Sequence, residues 1–211
     1  MALSPKMNHK LVAHFKEHFS RYLLLIFLFF TGALCGVFSV STLSEHGRFS
    51  SIQYTGALIQ GLAQQIPDLG STFLWSFLMR FGSLFLLYLG AILCIGAATT
   101  FVLMLCYGFS MGFTVTLFFH SAGIKAGIIL LGALLPAAYV FVVWLYASNL
   151  AMATSRSLRT EVMRRSRMGI SDRARSAAGP WMPVAAAMFL GVLLEVLISP
   201  MFMHFLARIL V

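Results

Sequence analysis

Between Arg80 and Lys125 the chain reads FGSLFLLYLGAILCIGAATTFVLMLCYGFSMGFTVTLFFHSAGI, 44 residues without an Asp, Glu, Lys or Arg. A membrane-spanning helix needs ~20 apolar residues, so this run holds two crossings rather than one. Glycine and a headgroup-seeking tyrosine favour a reversal at Cys106-Tyr107-Gly108. That choice gives a second span over 81–105 and a short third helix over 107–121, either a crossing or a re-entrant hairpin covered by protein. The polar turn His120 to Lys125, with Gly123, then leads into a fourth span over 126–150, kinked at Pro136.

Outside this stretch the pattern repeats. Tyr22 to Val40 makes a first span over 22–40, longer than a signal-peptide core and with no convincing cleavage site after it, so it is read as retained. Residues 181–206 make a fifth. The composition agrees: 60% of the 211 residues are hydrophobic, 10% are charged, and the mean hydropathy is +0.90. A soluble domain runs nearer ~25% charged. The fold class expected is therefore an all-α integral membrane protein, a polytopic bundle of about five transmembrane helices.

The net charge of +9 is distributed as an orientation signal, not a nucleic-acid one. Lys6, Lys10, Lys16 and Arg21 precede the first span, and Arg156, Arg159, Arg164, Arg165, Arg167, Arg173 and Arg175 fall in the connection 151–180. Basic residues beside spans stay on the cytoplasmic side, and four crossings between the two clusters place both there. The N-terminus is then cytoplasmic and the C-terminus external. Juxtamembrane arginines gain ~1 kcal/mol each near an anionic leaflet, so membrane lipids are the expected contact of this connection, with a cytoplasmic partner as the other candidate. Residues 1–21, with Leu11, Phe15, Phe19 and Tyr22 on one side and His14, His18 and Arg21 on another, read as an amphipathic interfacial helix. The external segment 41–80, with interfacial helices, is the one outer feature large enough to meet a partner.

Few residues suggest chemistry. His14-Phe15-Lys16-Glu17-His18 matches an inverted zinc-protease pattern, but on a short basic helix without a third ligand it is read as coincidence. Cys35, Cys94 and Cys106 lie in apolar runs without ligand spacing. The acidic residues Glu17, Glu45, Asp68, Glu161, Asp172 and Glu195 are too scattered for a catalytic set, so no enzyme, cofactor, metal, nucleic-acid or small-molecule site is expected. Glu195, thirteen residues past Met182 and roughly 20 Å along its helix at ~1.5 Å per residue, is an intramembrane acid with no intramembrane Lys, Arg or second acid assigned to it. The leading expectation is a neutral, hydrogen-bonded acid facing another helix or an acid reaching towards the outer headgroups, ahead of a partner contact or a transport role. Three small-residue patterns, Gly32/Gly36, Gly108/Gly112 and Gly123/Gly127, allow close helix approach within the bundle or, as a second use, between copies in a homo-oligomer.

The block Tyr107-Gly108-Phe109-Ser110-Met111-Gly112-Phe113-Thr114-Val115, followed by a glycine-containing turn and Leu134-Leu135-Pro136, resembles the stage II sporulation protein M family of spore-forming bacteria. Phe15-Lys16-Glu17-His18 before the first span and Gly32 to Gly36 within it extend the resemblance over nearly the whole chain. Members often carry a lysine where this chain has Tyr107, and an asparagine near Ala137-Ala138. The resemblance implies a non-catalytic scaffold at the sporulation septum, assembled with stage II sporulation proteins D and P, which degrade peptidoglycan, and required for septal thinning and engulfment of the forespore. A permease subunit of an ATP-driven transporter is the alternative, supported by Pro136, Glu195 and the hairpin at Tyr107.

Overall fold

A computed structural model describes residues 5–64, 68–164 and 170–210. Five helices follow one another: α1 (Pro5–Thr42), α2 (Glu45–Gln64), α3 (Leu69–Ile92), α4 (Gly96–Arg164) and α5 (Ile170–Leu210), with no strand among the described residues. Five stretches are long and apolar enough to cross a membrane: Phe19–Thr42, Leu69–Ile92, Gly96–Ser121, Pro136–Thr160 and Ser171–Leu206. Their outward faces are apolar, with Phe27, Phe30, Phe38, Leu74, Phe85, Val102, Val142 and Leu190 exposed. Such a surface suits lipid, where backbone groups must be satisfied inside each helix.

The expected reversal at Cys106-Tyr107-Gly108 is absent. The chain instead turns at Leu93-Cys94-Ile95, where Cys94 takes a left-handed φ of 62°. The second crossing stretch is therefore Leu69–Ile92 rather than 81–105, and the third is a full 26-residue helix rather than a short or re-entrant one. Residues 69–80, expected outside, form the first half of α3, opened by Asp68, whose carboxylate accepts from the Ser71 N–H at 2.9 Å.

A straight α4 of 69 residues would run roughly 100 Å at ~1.5 Å per residue. It folds back instead. Gly123 adopts φ 60°, and the limbs Gly96–Ser121 and Pro136–Thr160 lie side by side: the Gly96 N–H donates to Ser155 Oγ at 3.2 Å, and Tyr107 stacks on Trp144. The fourth crossing stretch thus starts at Pro136, ten residues later than 126, and helix continues through Arg156 and Arg159.

This hairpin is the centre of the bundle. α1 runs parallel to the first limb, because Gly32 faces the Leu105 carbonyl and Gly36 that of Phe109. On the second limb, Asn149 Nδ2 donates to the Tyr22 hydroxyl at 3.3 Å and Phe29 packs on Phe141. α5 runs antiparallel to that limb, with the Tyr139 hydroxyl donating to the Ala187 carbonyl and Gly191 against Val140. Leu25, Leu87, Met104, Val140, Trp144, Ala147 and Met188 fill the interior. The turn at Cys94 and the start of α5 share one end, where the Tyr88 hydroxyl donates to the Ala174 carbonyl. α2 closes the other end: Ile59 packs with Phe118, Ile129, Met203 and Leu206, and His204 Nδ1 lies 2.6 Å from the Leu62 carbonyl.

Candidate functional site: an ion pair in a lateral cleft

α3 and the first limb of α4 diverge from the Cys94 turn, and a cleft of about 460 Å³ lies between them. Its walls carry Trp75, Met79 and Arg80 from α3 and Tyr107, Ser110 and Thr114 from α4, with Trp144 and Glu195 behind. Arg80 Nη2 donates to Glu195 Oε1 at 2.9 Å and Arg80 Nε to Oε2 at 3.1 Å, the two-pronged geometry that suits guanidinium and carboxylate planes. The side chains are 16% and 26% exposed, both towards the cleft.

Aromatic rings hold the cation in place. The guanidinium carbon stands 5.5 Å from the Tyr107 ring centroid, and Tyr107 stacks on Trp144 at 5.9 Å with planes 8° apart. A cation over an aromatic face gains ~0.5–2 kcal/mol, more as water is excluded. Ser83 caps the turn below, its hydroxyl bonded to the Met79 and Arg80 carbonyls. Arg80 is the intramembrane partner that the sequence reading did not assign to Glu195. Arg80 resembles a span end because it bounds a long uncharged run, yet Thr72 to Met79 before it is apolar too.

The glycine patterns divide. Gly32 and Gly36 on α1 face the Leu105 and Phe109 carbonyls, while Gly108 and Gly112 on α4 face those of Phe29 and Ala33. The two patterns interlock inside one chain, each leaving room for the other backbone. Gly123 and Gly127 do not join two spans: Gly123 makes the reversal in open space, and Gly127 lies under the Phe119 ring. Pro136 is buried at the start of the second limb, away from the cleft. Arg156 and Arg159 extend from the end of α4, whose last turn holds Arg164. Arg165 and Arg167, and the side chains of Arg164, His14, Glu17 and His18, lie outside the described residues. Among the described residues, no three His, Cys, Asp or Glu side chains gather as metal ligands would.

The family model for stage II sporulation protein M matches residues 25–200, from within α1 to the Pro200 turn of α5. The chain belongs to the stage II sporulation protein M family. The match takes in all of α2 to α4, and with them Arg80, Tyr107, Trp144 and Glu195. This stage II sporulation protein M family chain matches no curated protein and no solved structure.

Proposed function

We propose that this sporulation-family membrane protein is a non-catalytic scaffold that holds the peptidoglycan-degrading stage II sporulation proteins D and P at the septum, where septal thinning and engulfment require them. The family match over residues 25–200 carries this reading. Among the described residues, Arg21, Arg156, Arg159, Arg173 and Arg175 lie towards the Cys94 end of the bundle, and this excess of positive charge supports reading that end as cytoplasmic. On that reading α2, the bend at Gly123 and the last turns of α5 face outward, towards the wall.

The expected partner surface, 41–80, narrows accordingly. Residues 69–80 belong to α3, which leaves α2 as the outer docking element. Thr55 and Ile59 are buried against the bundle while Phe49, Tyr54 and Leu58 are exposed. Replacing those three with serine in the full-length protein is expected to lower co-purification of the hydrolases at least tenfold with membrane levels unchanged. Unchanged co-purification overturns the assignment of α2. The permease alternative gains less from the geometry, because a carboxylate tied to Arg80 by two hydrogen bonds is poorly placed to relay a proton or an ion.

A further inference from the structure

The Arg80–Glu195 pair balances charge in the cleft but leaves hydrogen-bond donors in surplus. A guanidinium has five N–H groups, and Glu195 takes two of them. Trp144 is 2% exposed, and its Nε1–H, which can only donate, meets no acceptor. The buried Tyr107 hydroxyl lies beside the Arg80 guanidinium, from which its oxygen can accept, and its own O–H meets no acceptor. All three residues line the same cleft, with the Trp144 Nε1 and Tyr107 hydroxyl buried in its wall. A buried donor without an acceptor loses the hydrogen bond it had to water, so the site is built to receive oxygen acceptors.

The rim shows what brings them. Cys106, Ser110 and Thr114 place exposed small side chains at every fourth position of α4, on the face turned away from Gly108 and Gly112. Ser76 and Ser83 stand on the α3 side of the same opening. Small and hydroxyl-bearing residues at one-turn spacing let a further helix approach closely.

Depth decides between lipid and protein. Arg80 is the twelfth residue of the 24 in α3, and Tyr107 the twelfth of the 26 in the first limb, so the donors sit mid-way through both helices. Lipid headgroups lie about 15 Å from the middle of a ~30 Å hydrocarbon layer, whereas a helix side chain can sit there. A second copy of this chain cannot supply the group. At mid-span its carboxylate and carboxamide side chains are Glu195, already paired, and Asn149, buried against Tyr22.

We infer that the cleft seats a transmembrane helix of a partner protein, which inserts a carboxylate or carboxamide from its mid-point against Arg80, Tyr107 and Trp144. This rests on the scaffold reading and names the kind of segment held. The test places a photo-crosslinking residue at Ser110 of the full-length protein in host membranes, with Phe38 on the lipid-facing side of α1 as control, and maps the captured peptide. Ser110 is expected to capture a membrane helix of another protein with an Asp, Glu, Asn or Gln within about one turn of the crosslink. Trp144→Phe, which keeps an aromatic ring at the position and removes the N–H, is expected to cut the yield at least tenfold, as is Leu in place of the partner's acceptor. Capture of lipid alone, of a second copy, or of a helix without such a residue overturns the inference, as does a yield indifferent to Trp144→Phe. If the helix fits but belongs to no peptidoglycan hydrolase assembly, the inference stands and the hydrolase reading fails. If the hydrolases co-purify while Ser110 captures no partner helix, the inference alone fails.

Discussion

Arg80 on α3 and Glu195 on α5 are 115 residues apart in the chain and joined by two hydrogen bonds of 3.1 and 2.9 Å half-way along α3. Each charge makes the other tolerable in hydrocarbon. An isolated Arg or Asp at the centre of a membrane helix costs ~2.5–3.5 kcal/mol on insertion scales.

Removing one partner is therefore worse than removing both. Arg80→Leu is expected to lose about 3–5 kcal/mol by stranding the carboxylate, and the Arg80→Leu, Glu195→Met double variant to recover most of that. Thermal unfolding of the purified protein in mild detergent checks the order. A double variant no better than the single one contradicts it.

The interlocked glycines make a steric prediction. Gly32→Leu and Gly108→Leu each drive a side chain into a backbone carbonyl of the other helix, which cannot rotate away, and are expected to separate α1 from α4 with a loss of at least ~2 kcal/mol. Gly56→Ala, with open space around it on α2, is expected to gain up to ~1 kcal/mol. Unfolding midpoints of the three variants test the contrast.

The turn at Cys94 makes another. A side chain at φ 62° is strained by roughly 1–2 kcal/mol, which Cys94→Gly should relieve as a higher unfolding midpoint. With Cys35 and Cys106 replaced by alanine, Cys94 is also expected to react with a maleimide only when the reagent can pass the membrane. A cysteine at Gln53 on α2 should react from outside. Labelling of Cys94 from outside would reverse the orientation.

Asp68 gives a pH dependence with a definite sign. The Ser71 N–H and hydroxyl and the Gly70 N–H hold its carboxyl below the ordinary value, so the cap on α3 is at full strength above the usual carboxylate range. It weakens as pH falls through the lowered folded value. Asp68→Asn, which caps without titrating, should show a flatter loss of stability over that acidic window. Equal slopes for both proteins would show that Asp68 does not contribute.

Much of this architecture is written in the sequence because hydrocarbon enforces a simple grammar. Long uncharged runs give the helices, and the placement of Lys and Arg gives an even number of crossings between the two basic clusters. The position of the reversal between the second and third crossings was not legible. Glycine and tyrosine at 107–108 look like a turn, but Gly108 is used for contact with α1 and Tyr107 for holding Arg80, while the real turn uses a cysteine in a conformation that cysteine rarely adopts. The ion pair was half legible. A lone acid such as Glu195 needs a partner, and Arg80, with apolar residues on both sides, was the one arginine able to supply it.

The most direct test of the scaffold reading is to delete the gene in its host, induce sporulation and follow a membrane dye around the developing forespore. Arrest with a flat or bulging septum is expected, restored by the wild-type chain and not by the variant altered at Phe49, Tyr54 and Leu58. Normal migration of the mother-cell membrane in the deletion strain would contradict it.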